Sequence, residues 1–307
     1  MKNSDSDSST AAMKRWQGDP FDIENTVAYD TWRSWKLANT AVDQIIEIDD
    51  PENLNPVTIT KIYAACETHN MALFRAADNQ LADRAAFRRF MSALGFRNLR
   101  GHLLADDDDI STITPVDPSD RKTMKGEYIP YTGRALSWHT DGYYHKADNP
   151  IRSMTLYCAQ QASSGGESAF IDPDIIYIRL RDQNPDFVRA LMRPDAMTVP
   201  ANTLGGSEIR PARTGPVFMT DPASGYLSMR YTARTVSIEW PDDAQMLSAR
   251  TALEALLSDK HGDPMILRRR LSAGEGIICN NVLHKRGEFS DPTRVLYRGR
   301  FSNRVGD

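Results

Sequence analysis

Apolar and polar positions follow two different rhythms along this chain. In the first third the rhythm is mostly helical. Trp32, Trp35 and Leu37 recur at helical spacing between Tyr29 and Asn39, and Phe87, Phe90, Met91 and Leu94 do so from Asp83 until Gly95 stops the pattern. Pro56 to His69 reads as a further helix. Two strands lie among these helices. One covers Asp43 to Ile48 and is broken by Asp49, Asp50 and Pro51; the other is the short apolar run Met71 to Phe74. The stretch from Gly95 to Ser137 is rich in loop residues, and its acidic run Asp106–Asp109 reads as a solvated turn.

From Ser137 onward short β-like runs dominate: Met154–Cys158, Ala169–Ile171, Pro216–Met219, Gly276–Cys279 and Val295–Phe301. Turn residues at 164–166, 205–206, 221–222 and 291–292 separate them. Helical patterns over about 173–192 and 242–258 interrupt the series. Many short strands, with helices gathered at the front and in inserts, predict a mainly β fold with helical cover, a double-sheet barrel or jelly roll. Residues 1–19 read as a disordered tail of Ser, Asp and Lys. No repeat or linker divides the remainder, so residues 20–307 read as one domain.

Composition narrows the class. With 40% apolar and 25% charged residues, the chain belongs with soluble globular proteins. No apolar run approaches the roughly 20 residues that span a bilayer, and the first ten residues have neither a basic segment nor an apolar one. A net charge of -4 gives no basic surface for a polyanion, so a small molecule is the expected partner, with neither nucleic acid nor membrane. Cys66, Cys158 and Cys279 are odd in number and far apart, which fits neither a disulfide framework nor a CxxC site. A reducing, cytoplasmic compartment is the expectation.

The chemistry is sought among six histidines. Two of them occur as His-x-Asp, His139-Thr140-Asp141 and His261-Gly262-Asp263, a tripeptide that chance alone supplies in a chain this acidic. Context separates the two. His261 lies in the polar turn Ser-Asp-Lys-His-Gly-Asp-Pro after a helix and reads as a solvated helix end. His139 ends the apolar stretch Ala-Leu-Ser-Trp and enters the turn Gly142-Tyr143-Tyr144. In extended chain, residues i and i+2 share a face, so His139 and Asp141 can aim a nitrogen and an oxygen at one point. A half-buried His paired with its neighbouring Asp is the plainer alternative. His284, just after the apolar run Gly276–Cys279, offers a third ligand. Two histidines and one carboxylate with open positions make the facial triad of non-heme Fe(II) oxygenases.

Downstream, Arg294, Leu296, Arg298 and Arg300 fall on one face of a predicted strand, and Val295, Tyr297 and Phe301 on the other. Apolar residues on both faces predict burial, and a buried guanidinium needs a carboxylate. The partner is either an internal acid or a carboxylate ligand, which Arg grips in bidentate fashion.

At these residues the sequence resembles the taurine dioxygenase / clavaminate synthase-like (TauD/TfdA) family of Fe(II)- and 2-oxoglutarate-dependent oxygenases. The resemblance rests on Trp138-His139-Thr140-Asp141-Gly142, on Gly165-Gly166-Glu167-Ser168, and on His284-Lys285-Arg286 with Phe289, Asp291, Arg294 and Arg298. It spans about residues 138–300 and implies a double-stranded β-helix. It also implies that His139, Asp141 and His284 bind iron and that Arg294 holds the distal carboxylate of 2-oxoglutarate. Ser168 stands where relatives often carry a Thr that helps bind this cosubstrate. Arg298 stands where relatives place an Arg near the cosubstrate or against an anionic substrate.

Trp138, Tyr143 and Tyr144 flank the triad in sequence and are expected to line the substrate pocket, unless they are ordinary core or rim aromatics. Arg230 and Arg234, in the run Met229–Arg234, are expected to meet an anionic substrate or to form surface ion pairs. The expected reaction consumes O2 and 2-oxoglutarate, hydroxylates an aliphatic C–H of a small polar, anionic or amino-acid-like metabolite, and releases succinate and CO2. Desaturation or cyclisation on the same centre is the alternative. Asp141 disfavours halogenation, for which relatives replace this carboxylate by a small residue. Intact Asp141 and Arg294 also argue against a non-catalytic jelly-roll metal- or ligand-binding protein.

Overall fold

The computed structural model describes residues 15–307 apart from 41, 43, 101–105, 107, 117–128, 147, 205–206, 222–223, 235–237 and 259–262. The single-domain reading of residues 20–307 meets a chain whose backbone contacts fall into two compact units. The larger comprises residues 41–141, 149–171 and 264–307; the smaller comprises residues up to 40 with 142–148 and 172–263. Among the described residues, no helix is long and apolar enough to cross a membrane.

Two sheets build the larger unit. Their strands are numbered together in chain order. The first sheet runs β1 (Ile45–Ile48), β2 (Met71–Ala76), β8 (Glu275–Cys279), β5 (Ser153–Gln160), β10 (Val295–Phe301), β3 (Ser111–Ile113). Only its β1–β2 pair is parallel. The second is antiparallel and runs β7 (Leu267–Arg269), β6 (Ser168–Ile171), β9 (Leu283–Arg286), β4 (Leu136–His139).

Alternation along the strands explains the layering. Met71 and Leu73 of β2, Met154, Leu156 and Cys158 of β5, Ile277 and Cys279 of β8, and Leu296 of β10 join Phe170 of β6 in one core between the sheets. Their neighbours Ala72, Phe74, Tyr157, Ile278 and Phe301 turn the other way. There they meet Ile62 and Cys66 of α2 (Pro56–His69) and Phe87 and Phe90 of α3 (Arg84–Ala93). The starts of these helices are encoded locally. Asn55 accepts from the Thr58 amide with Pro56 at the first helical position, and Asp83 accepts from the Ala86 amide.

The smaller unit contains α1 (Thr26–Leu37), α4 (Pro173–Gln183), α5 (Pro185–Leu191) and α6 (Ala244–Leu257). It also holds three two-stranded ribbons, pairing 197–199 with 213–215, 202–204 with 207–210, and 218–220 with 227–229. Helix α1 docks on α4 through Trp32, Phe21 and Tyr177. Its Lys36 is almost fully buried and reaches Asp172 at 2.6 Å and Asp174 at 2.7 Å. The expected tail needs correction over residues 15–19. The Arg15 guanidinium lies 4.3 Å from the Trp16 ring and 4.4 Å from the Trp35 ring, so Trp16 gives this segment something to bury. Residues 1–14 of that tail lie outside the described residues.

Candidate metal centre

His139 and His284 are direct partners across the β4–β9 ladder, and their ring centroids are 4.2 Å apart. Asp141 follows two residues after His139. One ligand atom from each of the three lies within 4.8 Å of the others, and all three residues are buried. The register brings together side chains 145 positions apart in sequence.

The protonation pattern suits a cation. His139 Nδ1 lies 2.9 Å from the Ser137 carbonyl, and His284 Nδ1 lies 2.9 Å from the Val282 carbonyl. A carbonyl can only accept, so each Nδ1 donates its proton and each Nε2 keeps its lone pair. Burial, then the neighbouring His284, pulls the His139 pKa down to about 3. Burial likewise lowers that of His284. Both rings are therefore neutral, as metal ligands must be. For Asp141 burial opposes the charge, but Arg298 and then Arg300 outweigh it and hold the carboxyl below its usual range. Asp141 Oδ1 accepts from Arg298 Nη1 at 3.0 Å, whereas Oδ2 is buried with no hydrogen-bond partner. An orphaned carboxylate oxygen beside two neutral imidazoles is satisfied by a divalent cation, and this donor set is the facial triad of non-heme iron.

A second feature lies beside the triad in the same unit. Ser168 is paired with Arg286, and Phe170 with His284, across β6–β9, so these side chains share the inner face with His139. Arg294 is buried, with its guanidinium 4.7 Å from the Phe289 ring and no ion pair or hydrogen bond among the described residues. Burial lowers its pKa to about 10. Arg286 stacks on the same ring at 4.8 Å, but it donates to the carbonyls of Pro130, Thr132 and Arg134. A Cβ on Gly166, which has φ +70°, would lie 3.3 Å from Arg294 Nε, so the Gly-Gly sequence lets the backbone approach this guanidinium. The result is a buried guanidinium with no ion pair among the described residues, ready for an anionic ligand.

Comparison with known proteins agrees with this geometry. The chain matches "Taurine catabolism dioxygenase TauD, TfdA family" over residues 36–300. It belongs to that family. A uridine-5'-phosphate dioxygenase from a Streptomyces species is 30% identical over 207 residues, covering 66% of this chain and 73% of that relative. Two solved structures share the fold. Asparagine oxygenase with Fe(II), 3-hydroxyasparagine and succinate has TM-score 0.54 and 18% identity, covering 98% of this chain and 92% of its own. The non-heme iron oxygenase OrfP with Fe and alpha-ketoglutaric acid has TM-score 0.58 and 16% identity, covering 81% of each chain. Family membership makes this protein a non-heme iron- and 2-oxoglutarate-dependent dioxygenase.

The remaining expected site residues of this TauD/TfdA-family dioxygenase separate in the structure. Arg298 meets Asp141 through Nη1, and its Nε is buried with no hydrogen-bond partner among the described residues. Trp138 alternates with His139 on β4, so it turns to the opposite face, where Lys285 lies 4.9 Å from its ring. Its expected place in the pocket beside the triad is corrected accordingly. Tyr143 and Tyr144 are half-buried in the smaller unit and pack edge to face at 5.2 Å. Arg230, in the same unit, gives its donors to the carbonyls of Tyr143, Met197, Gly215 and Arg213, which corrects its expected role as a free anion ligand. Arg234 is exposed. His261 lies outside the described residues. The acidic run is also more than a solvated turn, because Asp106 and Asp108 both bind Arg84.

Two residues of the centre escaped the sequence pattern. Arg286 was visible only as part of His-Lys-Arg. Asn281 donates to the Asp141 carbonyl and accepts from the Asp141 amide. Its signal was a pair of asparagines inside the apolar stretch Ile277–Leu283.

Proposed function

We propose that this dioxygenase hydroxylates an aliphatic C–H of a small phosphate-bearing metabolite, a nucleoside 5'-monophosphate of the uridine 5'-phosphate kind, with release of succinate and CO2. The observation that carries the substrate class is the uridine-5'-phosphate dioxygenase matched over 73% of its length. Within the smaller unit, Arg210 and Arg213 form no ion pair among the described residues, which supports an anionic substrate. The two sheets around one shared core support the double-stranded β-helix, or jelly-roll, reading of the fold.

In this reading His139 and His284, through Nε2, and Asp141, through Oδ2, hold the ferrous ion. Bound there, iron supplies dioxygen activation coupled to decarboxylation of 2-oxoglutarate. Arg294 grips the distal carboxylate of 2-oxoglutarate, and the Ser168 hydroxyl adds a donor. Arg298 keeps Asp141 charged and leaves its second oxygen for the metal. Burial of all six side chains excludes water and holds the reacting groups in place.

The test is succinate formation by the Fe(II)-loaded enzyme with 2-oxoglutarate and air. Uridine 5'-phosphate, uridine, asparagine and taurine serve as parallel substrates. Uridine 5'-phosphate is expected to stimulate turnover about tenfold or more over uridine, as charge-assisted bonds to a phosphate require, and to gain one oxygen atom by mass. Stimulation by asparagine or taurine alone would remove the nucleotide reading. Absence of succinate with every substrate, in enzyme shown to bind iron, would remove the oxygenase reading.

A further inference from the structure

We propose that Asn281 is a positioning residue for the metal, holding the backbone of Asp141 so that its carboxylate stands in register with His139 and His284. The inference rests on the reading that this triad binds the metal.

Asp141 lies beyond the end of β4, whose ladder pairs stop at His139. The strand therefore fixes one ligand and leaves the carboxylate ligand on the start of a turn. Asn281 takes the place of a neighbouring strand there. Its Oδ1 accepts from the Asp141 amide at 2.8 Å, and its Nδ2 donates to the Asp141 carbonyl at 2.9 Å. The same Nδ2 donates to the Ile151 carbonyl at 2.8 Å. An amide N–H can meet only an oxygen and a carbonyl only a donor, so the orientation of this side-chain amide is determined by its partners.

Position strengthens the argument. Asn281 is buried and precedes His284 by three residues, so the turn that delivers one imidazole also grips the carboxylate residue. Its own backbone is left-handed, with φ 50°, a conformation that Asn and Gly tolerate and most residues do not. Side chain and backbone thus make two separate demands at one position. Asn280 provides a built-in contrast. It is equally buried, but it bonds the Cys66 carbonyl, Asn70 Oδ1 and the Val305 amide, none of them part of the triad.

Those facts choose the variants. Asn281→Gly keeps the left-handed backbone and deletes all three side-chain bonds. Asn281→Asp keeps the accepting oxygen but sets a carboxylate oxygen against two carbonyls. Asn280→Ala removes the neighbouring network, and His139→Ala removes a ligand. Each metal-free full-length protein is titrated with Co(II), followed by its visible absorption, and melted without metal. The Fe(II)–2-oxoglutarate charge-transfer band is recorded under argon.

Both Asn281 variants are expected to bind Co(II) about 10- to 100-fold more weakly, the usual loss when an outer partner of a metal ligand is removed, and to shift the charge-transfer band. Asn280→Ala is expected to melt earlier at unchanged Co(II) affinity. Parent affinity in folded Asn281→Gly would overturn the proposal, as would an equal loss in Asn280→Ala, which marks general loosening. If Asn281→Gly does not fold, Asn281→Asp decides by the same criterion; if neither folds, Asn281 serves folding and the proposal falls. A parent that binds no Co(II), or a His139→Ala variant that binds as the parent does, instead removes the triad reading itself.

Discussion

Arg298 donates from Nη1 to Oδ1 of Asp141 at 3.0 Å, and both side chains are buried. The guanidinium comes from β10 and the carboxylate from just beyond β4, so one strand of each sheet contributes to the pair. Breaking a buried pair by removing one member leaves an uncompensated charge, at a typical cost of about 3–5 kcal/mol. Arg300 also acts favourably on Asp141. Arg298→Met is therefore expected to destabilise the metal-free protein by about 3 kcal/mol, and by less once a divalent cation is bound. Urea unfolding with and without Co(II) checks this. A loss that is the same in both conditions would show that Asp141 does not share its charge between Arg298 and a metal.

Arg294 is a buried guanidinium without an ion pair among the described residues, so removing it disturbs a ligand more than the fold. Arg294→Ala is expected to raise the 2-oxoglutarate KM by roughly tenfold to a hundredfold, the worth of a charge-assisted bond of about 1.5–3 kcal/mol. Co(II) affinity should not change. Succinate formation against 2-oxoglutarate concentration reads the effect; an unchanged KM would place the cosubstrate clamp elsewhere.

Gly166 and Gly165 separate close approach from backbone strain. Both have positive φ, but a Cβ at Gly166 lies 3.3 Å from the Arg294 side chain, while one at Gly165 lies 2.4 Å from the Glu288 carbonyl oxygen. A side chain can give way where backbone cannot. Gly166→Ala should raise the 2-oxoglutarate KM several-fold with a stability loss of about 1–2 kcal/mol, and Gly165→Ala should lose more stability. Melting curves and KM values for the two variants make the comparison, and the reverse order of stability would contradict it.

Arg230 binds four backbone carbonyls that belong to different segments of the smaller unit. Its removal leaves those acceptors to water. Arg230→Met is expected to lower stability by about 2 kcal/mol while leaving substrate KM nearly unchanged in folded enzyme. A raised substrate KM at full stability would restore the anion-binding role that its sequence position suggested.

Lys36 carries a pH dependence of definite sign. Burial disfavours its charge, but Asp172 and Asp174 outweigh burial and raise its pKa above the ordinary lysine value. A raised folded-state pKa stabilises fully below the unfolded value. That contribution is lost only as pH climbs through the folded value, here above about pH 10.4. Lys36→Met leaves two buried carboxylates without their cation, and should cost about 3–5 kcal/mol at neutral pH. Unfolding of parent and variant at pH 7, 9 and 11 tests this; a loss as large at pH 11 as at pH 7 would show that the charge on Lys36 is not the cause.

The sequence by itself determined what depends on near neighbours. The helix expected over Pro56–His69 and the strand expected over Val295–Phe301 appear with those bounds, because caps, proline and side-chain alternation act within a few positions. Ligand types were legible for the same reason, since His139 and Asp141 share a local pattern and His284 closes an apolar run. Trp16 hid in a polar segment because its partner, Trp35, lies nineteen positions on.

Only the tertiary structure decided partners. Alternation shows that a side chain points inward, but not what waits there. It could not say that Arg298 meets Asp141 while Arg294 meets no acid among the described residues, that Arg230 is consumed by carbonyls, or that Asn281 grips the backbone of Asp141, 140 positions away. The physical reason is that a buried charge or amide takes whichever complementary group the packing brings within hydrogen-bond reach, and packing is a property of the two sheets closing on one core rather than of any stretch of chain.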